Sequence, residues 1–476
     1  MKRLSKCLIA AIAGGAILSP ALHAQQTASE NVVTGNEAAE PQSVALNDPA
    51  AGNIGAPLKI SREECIAIAL QDNPTIRVAD LEVKRLDYSK REVQGSLFPN
   101  IDFSGAYQRT IDLQTMRMNI GGESQSLKVG SQNTWNFGFT ASMPIISPTL
   151  WKSIQISDVQ ILAALETARG SRLDLIDQVN KAYYSLMLAI ASRDVLQQNY
   201  DIAKFNHELY SRQFEFGTAS EYDVLRSSVT MKNIEPELLQ ADISIKQCKL
   251  QLKVLMGMDY AVDIEPTVTL AEMQRDMYAY PLSAGDNISN NTSLRSLDIQ
   301  QNMLEKTLTL RKFAYLPTLG ISYNVNWMSL SNGSPFKNQQ FNPYSTVGLA
   351  LSIPIFSGGS RLNAVKQAQV QLKELEFQRE NLVNALNMQV ELALDNINRE
   401  AEQIASSEES MKQAGKAHEI MQKSFEIGAA SYLDLRDAEL ADTSARLAYY
   451  QAIYNFLIST SELDLLLGKE DYLNNK

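Results

Sequence analysis

Cysteine, histidine and positive charge are scarce in this sequence of 476 residues. There are 3 cysteines and 3 histidines, and the formal net charge is −11 at pH 7. So few cysteines do not make a disulfide framework. No histidine, cysteine or glutamate grouping has metal-ligand spacing, and an acidic chain is disfavoured as a partner of nucleic acid. The sequence therefore predicts no metal site and no nucleic-acid partner.

Enzyme motifs are also absent from the sequence. There is no phosphate-binding loop, nucleophile elbow or dinucleotide fingerprint. Two histidines beyond the N-terminal region, His207 and His418, stand 211 residues apart. That spacing favours equivalent polar positions on the surfaces of duplicated helices over catalytic groups. We predict that the protein is not an enzyme and needs no cofactor.

Helix-breaking residues and long apolar runs are rare as well. The chain has 15 prolines and 23 glycines, and they cluster, which favours long uninterrupted elements. After the N-terminal region no segment reaches the run of about 18 apolar residues that a transmembrane helix needs. Any part that spans a membrane must therefore consist of strands.

The N-terminus has the parts of a secretory signal. Three positive charges precede the apolar core Cys7–Leu18, and Ala24 offers a cleavage position. We predict a signal peptide over 1–24, whose removal takes the net charge from −11 to −14. Residues 25–57 are polar with little periodicity, and we predict a flexible leader.

One short motif occurs twice, at 214–227 and 425–438. In each copy a glycine, which can end a helix in the left-handed conformation, precedes a serine that can cap the next helix. An aspartate at the third helical position would complete a capping box. The motif predicts a tight tip between two antiparallel helices, in a chain built as a tandem repeat. The identical pairs are Phe214/Phe425, Glu215/Glu426, Gly217/Gly428, Ala219/Ala430, Ser220/Ser431 and Asp223/Asp434.

Four segments alternate apolar with small or polar residues, as strands with two different faces do. They lie in two hairpins, 100–146 and 317–356, with loops at 113–131 and 331–342. Such alternation fits lipid on one face and water on the other, although a sheet packed on a soluble core is the alternative. Four strands cannot close a barrel and open edges are not tolerated in lipid, so three or more chains would share one. Aromatic residues near the strand ends are predicted at the membrane interface, namely Tyr107, Trp135, Tyr323 and Trp327.

Each hairpin is followed by a long helical pattern without proline, at 149–215 and 358–427. At ~1.5 Å per residue each helix would be roughly 100 Å long, which suits a tube or rod. The predicted organisation is a signal 1–24, leader 25–57, first repeat 58–257, linker 258–287, second repeat 288–470 and tail 471–476.

Together these features resemble the TolC-like outer membrane factor family over residues 58–470. The resemblance includes Phe98-Pro99 and Leu316-Pro317 before the strands, Pro354–Gly359 after them, and the glycine-containing tips. It implies a mixed α and β fold and a homotrimer. Each protomer would give four strands to a twelve-stranded outer-membrane β-barrel, which a long α-helical barrel continues through the periplasm.

The resemblance also implies a function. The protein would be a passive exit duct of a tripartite efflux or type I secretion system, located in the outer membrane and extending into the periplasm. Its partners would be outer-membrane lipid, a periplasmic adaptor protein and an inner-membrane transporter of the RND, ABC or MFS type.

In the family, two aspartates three residues apart ring the closed pore, and Asp434 and Asp437 stand at those positions. Helix capping alone, or a solvated helix face, is the alternative reading of these carboxylates. The tyrosine and arginine that help to lock the closed state correspond here to Phe425 and Ala430, so the closed state must be held differently. The exposed tip residues are the candidates for adaptor contact: Gly217, Thr218, Ala219, Ser220, Gly428, Ala429, Ala430 and Ser431.

Two other functions compete with the exit duct. An exported fibrous coiled-coil protein without a pore would account for the long helices, but it would not need the alternating strands. A stand-alone diffusion porin would account for the strands, but it has no use for a periplasmic tube.

Overall fold

The computed structural model describes residues 57–120, 123–277, 288–336 and 339–469. The predicted signal peptide 1–24, leader residues 25–56 and the tail 471–476 lie outside the described residues.

The strands are β1 (Leu58–Ile60), β2 (Asn100–Arg109), β3 (Gln114–Ile120), β4 (Glu123–Val129), β5 (Asn133–Ile146), β6 (Ile264–Pro266), β7 (Thr318–Ser331) and β8 (Asn342–Ser352). The helices are α1 (Arg62–Asp72), α2 (Pro74–Gly95), α3 (Pro148–Glu215), α4 (Glu221–Met256), α5 (Leu270–Met277), α6 (Thr292–Phe313), α7 (Ser360–Glu426) and α8 (Tyr432–Leu467), with a 3-10 turn at Ile288–Asn290.

The two predicted hairpins merge into a single antiparallel sheet in the order β2-β5-β7-β8. The pairing of β5 with β7 joins segments from the two halves of the chain, with Phe139 opposite Val325. Strands β2 and β8 form the two edges of this sheet, and within the described chain each has a partner on one side only. The helices that adjoin these strands, α2, α3, α6 and α7, all connect at one end of the sheet, and the loops lie at the other.

The register of the sheet confirms the predicted alternation. Residues directly opposite one another in neighbouring strands share a face. Ile101, Phe103 and Tyr107 of β2 lie opposite Ala141, Phe139 and Trp135 of β5, and the same face continues through Tyr323 and Val325 to Val347 and Ser345. The other face carries small and polar residues: Asp102, Ser104, Thr140, Gly138, Ser322, Asn324, Gly348 and Thr346.

One prediction about a connecting segment is wrong, and a second segment contains elements that the sequence did not predict. The segment 113–131, predicted as a loop, contains an antiparallel hairpin of β3 and β4. The linker 258–287 contains β6, which pairs in parallel with β1, and the helix α5. A three-residue strand and one short helix carry too little periodicity to be recognised in a sequence.

The helices form a layer that matches the strand order. Helix α3 packs against α2 and α4 on one side and against α6 and α8 on the other, and α7 packs against α6 and α8. Helix α3 buries side chains along most of its length, whereas α7 buries few. None of the helices within the described residues has the length and apolar character to cross a membrane.

The short helices are joined end to end by two equivalent asparagines. Asn73 caps α2, with Pro74 at the first helical position, and its Nδ2 donates to the carbonyl oxygen of Leu255 at the end of α4. Asn291 caps α6 and donates in the same way to the carbonyl oxygen of Leu466 at the end of α8. Each donor–acceptor distance is 2.8 Å. Thus α4 continues into α2, and α8 continues into α6.

The hydrophobic core lies where α1 and the paired strands β1 and β6 pack on the helix layer. Tyr183 and Val179 of α3, Leu252 of α4 and Ile453 of α8 are fully buried there. Burial of such side chains is the main stabilising contribution, at about 1.5–3 kcal/mol for each large apolar group. The core therefore fixes the helix layer well away from the tips.

Candidate functional site at the helix tips

Each helix pair ends in the same tight turn. The N–H of Gly217 donates to the carbonyl oxygen of Phe214 at 2.9 Å, and the N–H of Thr218 donates to that of Gln213 at 2.8 Å. This pair of bonds is a Schellman motif, which satisfies the last carbonyl groups of a helix. The second tip repeats it from Gly428 and Ala429. Both glycines have positive φ, 69° and 76°, which a side chain would disfavour.

A capping box then starts each returning helix, as predicted. The Oγ of Ser431 accepts from the N–H of Asp434 at 3.3 Å, while the N–H of Ser431 donates to the Asp434 carboxylate at 3.1 Å. Ser220 and Asp223 form the same box in the first tip. The hydrogen bonds from Ser431 lower the pKa of Asp434 below its ordinary value. Asp434 is therefore both a cap and a carboxylate that stays charged.

Asp434 and Asp437 are both exposed near the start of α8, and Leu435 between them is buried. Three residues on a helix lie on neighbouring positions of one face. Two negative charges are thus presented together, within about one turn of the tip.

The eight tip residues predicted for partner contact occupy the two turns. Six of them are exposed, and Ala219 and Ala430 are half-buried. The hydrophobic residue directly before each glycine is also exposed, which the sequence did not predict. Phe216 is 82% exposed and Ile427 is 81% exposed. Exposed apolar groups at the end of a long helical rod are typical of a contact surface.

A cluster of three rings and one guanidinium holds the two tips together. We call Tyr210, Arg226, Phe425 and Tyr432 the tip cluster; they come from α3, α4, α7 and α8. The ring centroids of Tyr210 and Tyr432 are 5.6 Å apart, and Phe425 lies 6.3 Å from each of them. The Cζ of Arg226 lies 5.1 Å from the Tyr432 centroid, a cation–π distance.

Phe425, at one of the two positions where the sequence predicts no polar lock, belongs to this cluster. Phe425 has no hydroxyl group and Ala430 has no guanidinium, yet Phe425 is half-buried against Tyr210 and Tyr432. Burial, together with the nearby Asp223 carboxylate, raises the pKa of Tyr210 to about 12. The cluster thus contains neutral rings and one permanent cation, and its attraction depends little on pH.

Above the cluster, α8 packs on its neighbours through buried polar groups. Glu439 is 4% exposed, and its carboxylate accepts from Arg436 at 3.3 Å and from Asn206 of α3 at 3.4 Å. Asp442 is 7% exposed and accepts at 3.0 Å from Arg446 of the same helix, whose Nη1 donates to Gln198 of α3 at 3.2 Å. Such contacts are weaker anchors than the apolar core, because water can replace them when the helices separate.

The sequence predicts that His207 and His418 lie on helix surfaces, but the structure places them elsewhere. Both are half-buried between helices. The Nδ1 of His207 lies 3.1 Å from Ser227 Oγ, whereas the Nδ1 of His418 lies 3.6 Å from a carboxylate oxygen of Asp442. Within the described ranges, no group of three or more histidine, cysteine or acidic side chains could hold a metal ion.

Sequence reasoning missed three members of the tip cluster, although a signal was present. Arg226 stands at the repeat position of Asp437, and Tyr432 stands at that of Glu221. The repeat therefore changes charge at the two positions where the copies meet. Differences between duplicated segments mark the places where each copy has a different neighbour.

The aromatic residues at the loop end of the sheet form a second candidate region. Tyr107 and Trp135 lie opposite each other with centroids 4.5 Å apart, and Trp135 is 6.0 Å from Phe336 of the β7–β8 loop. Phe137 and Phe341 are 5.8 Å apart. We call these five residues the aromatic band. Of the other predicted interface residues, Trp327 lies opposite Phe137, whereas Tyr323 lies nearer the middle of β7 than its end.

Comparison with known proteins places this geometry in a family. A sequence model of the outer membrane efflux protein family matches residues 65–258 and 285–469. The alkaline protease secretion protein AprF of Pseudomonas aeruginosa is 23% identical over 432 residues, which cover 88% of each chain. The outer membrane protein TolC of Vibrio cholerae is 21% identical, over 79% of this chain and 83% of that protein.

The fold is also that of a solved channel. The open state of the MtrE outer membrane channel of Neisseria gonorrhoeae superposes with a TM-score of 0.69 at 18% identity, covering 86% of this chain and 88% of that one. Its arrangement agrees with the mixed α and β fold found here. The comparisons give no support to a fibrous protein without a pore. The two halves of the family match fall on the two hairpin-and-helix repeats, and the chain therefore belongs to the outer membrane efflux protein family, whose members are channels that span the outer membrane and extend into the periplasm.

Proposed function

We propose that three copies of this chain assemble into one duct. Each sheet ends in the edge strands β2 and β8, and in three copies every β2 would pair with the β8 of a neighbour. The result is a closed barrel of twelve strands, which removes all unpaired edges. The single observation that carries this proposal is a four-stranded sheet with two open edges and one uncovered apolar face.

The apolar face of the sheet supports lipid as its environment. Ile101 is 68% exposed, Phe103 62%, Val347 69% and Leu349 68%. Small and polar residues on the opposite face leave room for a water-filled passage. The exposed apolar residues of α7, such as Phe377 and Leu392, support a second contact, in which α7 packs against the α2 and α4 side of a neighbouring copy.

The gate of this duct lies at the tips, in our proposal. Threefold symmetry turns Asp434 and Asp437 into two stacked acidic rings, which attract cations and narrow the exit. The tip cluster holds the two helix pairs of each protomer together when the gate is closed. Opening separates the pairs along the polar contacts that Glu439 and Arg446 of α8 make with α3, while the apolar core stays packed.

The partners follow from where the tips lie. A periplasmic adaptor protein would contact the two turns, including the exposed Phe216 and Ile427. An inner-membrane transporter of the RND, ABC or MFS type would supply the energy, since the duct itself conducts passively. The alkaline protease secretion role of AprF and the general efflux role of the family support export of cargo that a pump selects.

Single-channel conductance in planar bilayers tests the duct and its gate. The purified protein is compared with Asp434→Asn/Asp437→Asn and with the control Asp223→Asn, which changes the equivalent cap of the first tip. We expect a small cation-selective conductance in the unmodified protein and in the control. Loss of cation selectivity only in the double variant would support the acidic rings. Equal selectivity in all three proteins would remove these aspartates from the gate, and absence of conductance from folded trimers would overturn the duct.

A further inference from the structure

The hairpin of β3 and β4 is an extra element at the loop end of the membrane sheet. It is joined to the sheet by residues 110–113 on one side and 130–132 on the other. Four residues span at most about 14 Å even when extended. The base of the hairpin therefore stays close to the Arg109 and Asn133 pair that ends β2 and begins β5. The aromatic band lies beside that pair, and aromatic bands mark the membrane–water interface of outer-membrane strands.

The register of the hairpin separates its side chains by type. Met116 lies opposite Leu127, and Val129 lies opposite Gln114, on one face together with Met118. The other face carries Thr115 opposite Lys128 and Arg117 opposite Ser126. One face is therefore mainly apolar, and the other is polar and positively charged.

Nothing in the described protomer covers the apolar face. Met116 is 47% exposed, Met118 41%, Leu127 56% and Val129 42%. Strands β3 and β4 pack on each other, and no other described element makes an extended contact with them. A two-stranded hairpin is only marginally stable in water by itself, so this one needs a surface on which to lie.

The charged face identifies the chemistry of that surface. Among the residues the structure describes, Arg117 and Lys128 form no ion pair with a carboxylate. Arginine binds phosphate oxygens in a bidentate manner and lysine binds them as a point charge. An amphipathic element with apolar groups on one face and cations on the other lies in the plane of a membrane interface, where its cations reach anionic headgroups.

We propose that the β3–β4 hairpin is a lipid-binding element of the outer leaflet. Met116, Met118, Leu127 and Val129 enter the upper acyl layer, and Arg117 and Lys128 bind lipid phosphates. The proposal requires an outer-membrane location and is independent of conduction or gating. It also explains why β2 and β5 continue into a second hairpin rather than a short turn.

Site-directed fluorescence measures the surroundings of the hairpin directly. Cys248→Ala removes the half-buried thiol, and Cys65 is fully buried. In this background, an environment-sensitive dye is attached through Leu127→Cys or through the control Ser126→Cys. These two residues are adjacent in β4 and lie on its opposite faces. The two dyes are therefore attached at nearly the same place in the hairpin but on different sides of it.

The labelled trimers are reconstituted into phosphatidylcholine vesicles, with or without phosphatidylglycerol. Quenching by a lipid spin-labelled near its headgroup is compared with quenching by aqueous iodide. We expect the Leu127→Cys dye to be quenched mainly by the lipid and the Ser126→Cys dye mainly by iodide. Quenching of both dyes by iodide alone would place the hairpin in water and overturn the proposal. Protection of the Leu127→Cys dye from both quenchers would show that a second copy of the chain covers this face, which would also overturn it.

The anionic lipid tests the two cations. Phosphatidylglycerol should increase lipid quenching at Leu127→Cys, and Arg117→Gln/Lys128→Gln should abolish that increase, since each cation near an anionic surface changes partitioning roughly 5-fold. The control Lys204→Gln/Lys232→Gln removes the same charge from exposed positions of α3 and α4. An equal loss in both double variants would show a net-charge effect and would exclude specific phosphate contacts.

Discussion

Asn291 donates a hydrogen bond of 2.8 Å from its Nδ2 to the carbonyl oxygen of Leu466. The same side chain accepts from the N–H groups of Ser293 and Leu294 through its Oδ1. One amide therefore caps the start of α6 and the end of α8 at once. This double role lets two short helices act as one, so that α8 and α6 together extend along most of the length of α7.

Loss of this amide should weaken the junction. Asn291→Ala removes a cap and leaves the Leu466 carbonyl without its donor, and we expect a loss of about 1–2 kcal/mol in unfolding free energy. Asn291→Asp keeps the cap but not the donor, so its loss should be smaller. Denaturant unfolding monitored by circular dichroism measures both. The control is Asn290→Ala, at an exposed neighbouring position, and an equal effect in the control would contradict the junction.

The glycines that end the helices should differ in tolerance. Gly428 and Gly468 both have positive φ, so alanine at either position costs about 1 kcal/mol of conformational strain. A Cβ at Gly428 would meet nothing within 4 Å, whereas one at Gly468 would overlap the carbonyl oxygen of Asn290. We expect Gly468→Ala to lose about 1–3 kcal/mol more than Gly428→Ala. The unfolding midpoints of the two variants test this difference. Similar midpoints would mean that the backbone near Asn290 moves to accommodate the added methyl group.

The tip cluster should hold the gate closed. Tyr432→Ala removes two ring contacts and the cation–π contact, each of about 0.5–1.5 kcal/mol. We expect open-state occupancy in planar bilayers to rise at least about tenfold, because 1.4 kcal/mol corresponds to that factor. Phe425→Ala should act in the same direction and less strongly.

The repeat provides a control for the tip cluster. Phe214→Ala changes the equivalent of Phe425 in the first tip, where the ring is 47% exposed. It should leave the open-state occupancy unchanged. A rise of equal size in Phe214→Ala and Phe425→Ala would show general loosening of the tips and would contradict a specific cluster.

The charge of Asp434 should persist in acid. Ser431 lowers the pKa of this carboxyl below its ordinary value of 3.8, so the charged cap is fully formed above that value and its contribution to stability is lost as the pH falls through the lowered pKa. Cation selectivity should therefore hold from neutral pH to about pH 4. Ser431→Ala removes the donor and should move the loss of selectivity to higher pH.

Ser220→Ala is the control for that titration. It breaks the same capping box in the first tip, next to Asp223. It should weaken the tip but leave the pH dependence of selectivity unchanged. Reversal potentials measured at a series of pH values give the curve for each variant, and identical curves for both variants would separate Asp434 from the conducting path.

The elements that local chemistry dictates were predictable from the sequence. The tips required a glycine with positive φ, a capping serine and an aspartate three residues later, and all of these act within seven residues. The alternation of the strands is equally local. The capping role of Asp434 therefore follows from the sequence of the tip alone.

What the sequence could not supply depends on residues that are distant in the chain. The strand Ile264–Pro266 depends on its pairing partner β1, which lies 206 positions earlier, and a strand of three residues has no independent signal. The tip cluster joins Tyr210 to Tyr432 across 222 positions, and ring contacts of that kind leave no periodicity. His207 and His418 stand at equivalent repeat positions, but the tertiary structure places a serine beside one and a carboxylate beside the other.

The sequence by itself determined the two tips, the four strands with their two faces, and the long helices, because turn chemistry and hydrophobic periodicity act between near neighbours. The tertiary structure alone decided that both hairpins form one sheet with β5 beside β7. It also decided that Asn73 and Asn291 join short helices end to end, and that three rings and one guanidinium from four helices pack together at the tips. These features join segments that are distant in the chain. Their contacts can form, and so contribute to stability, only when the apolar core has positioned the helices.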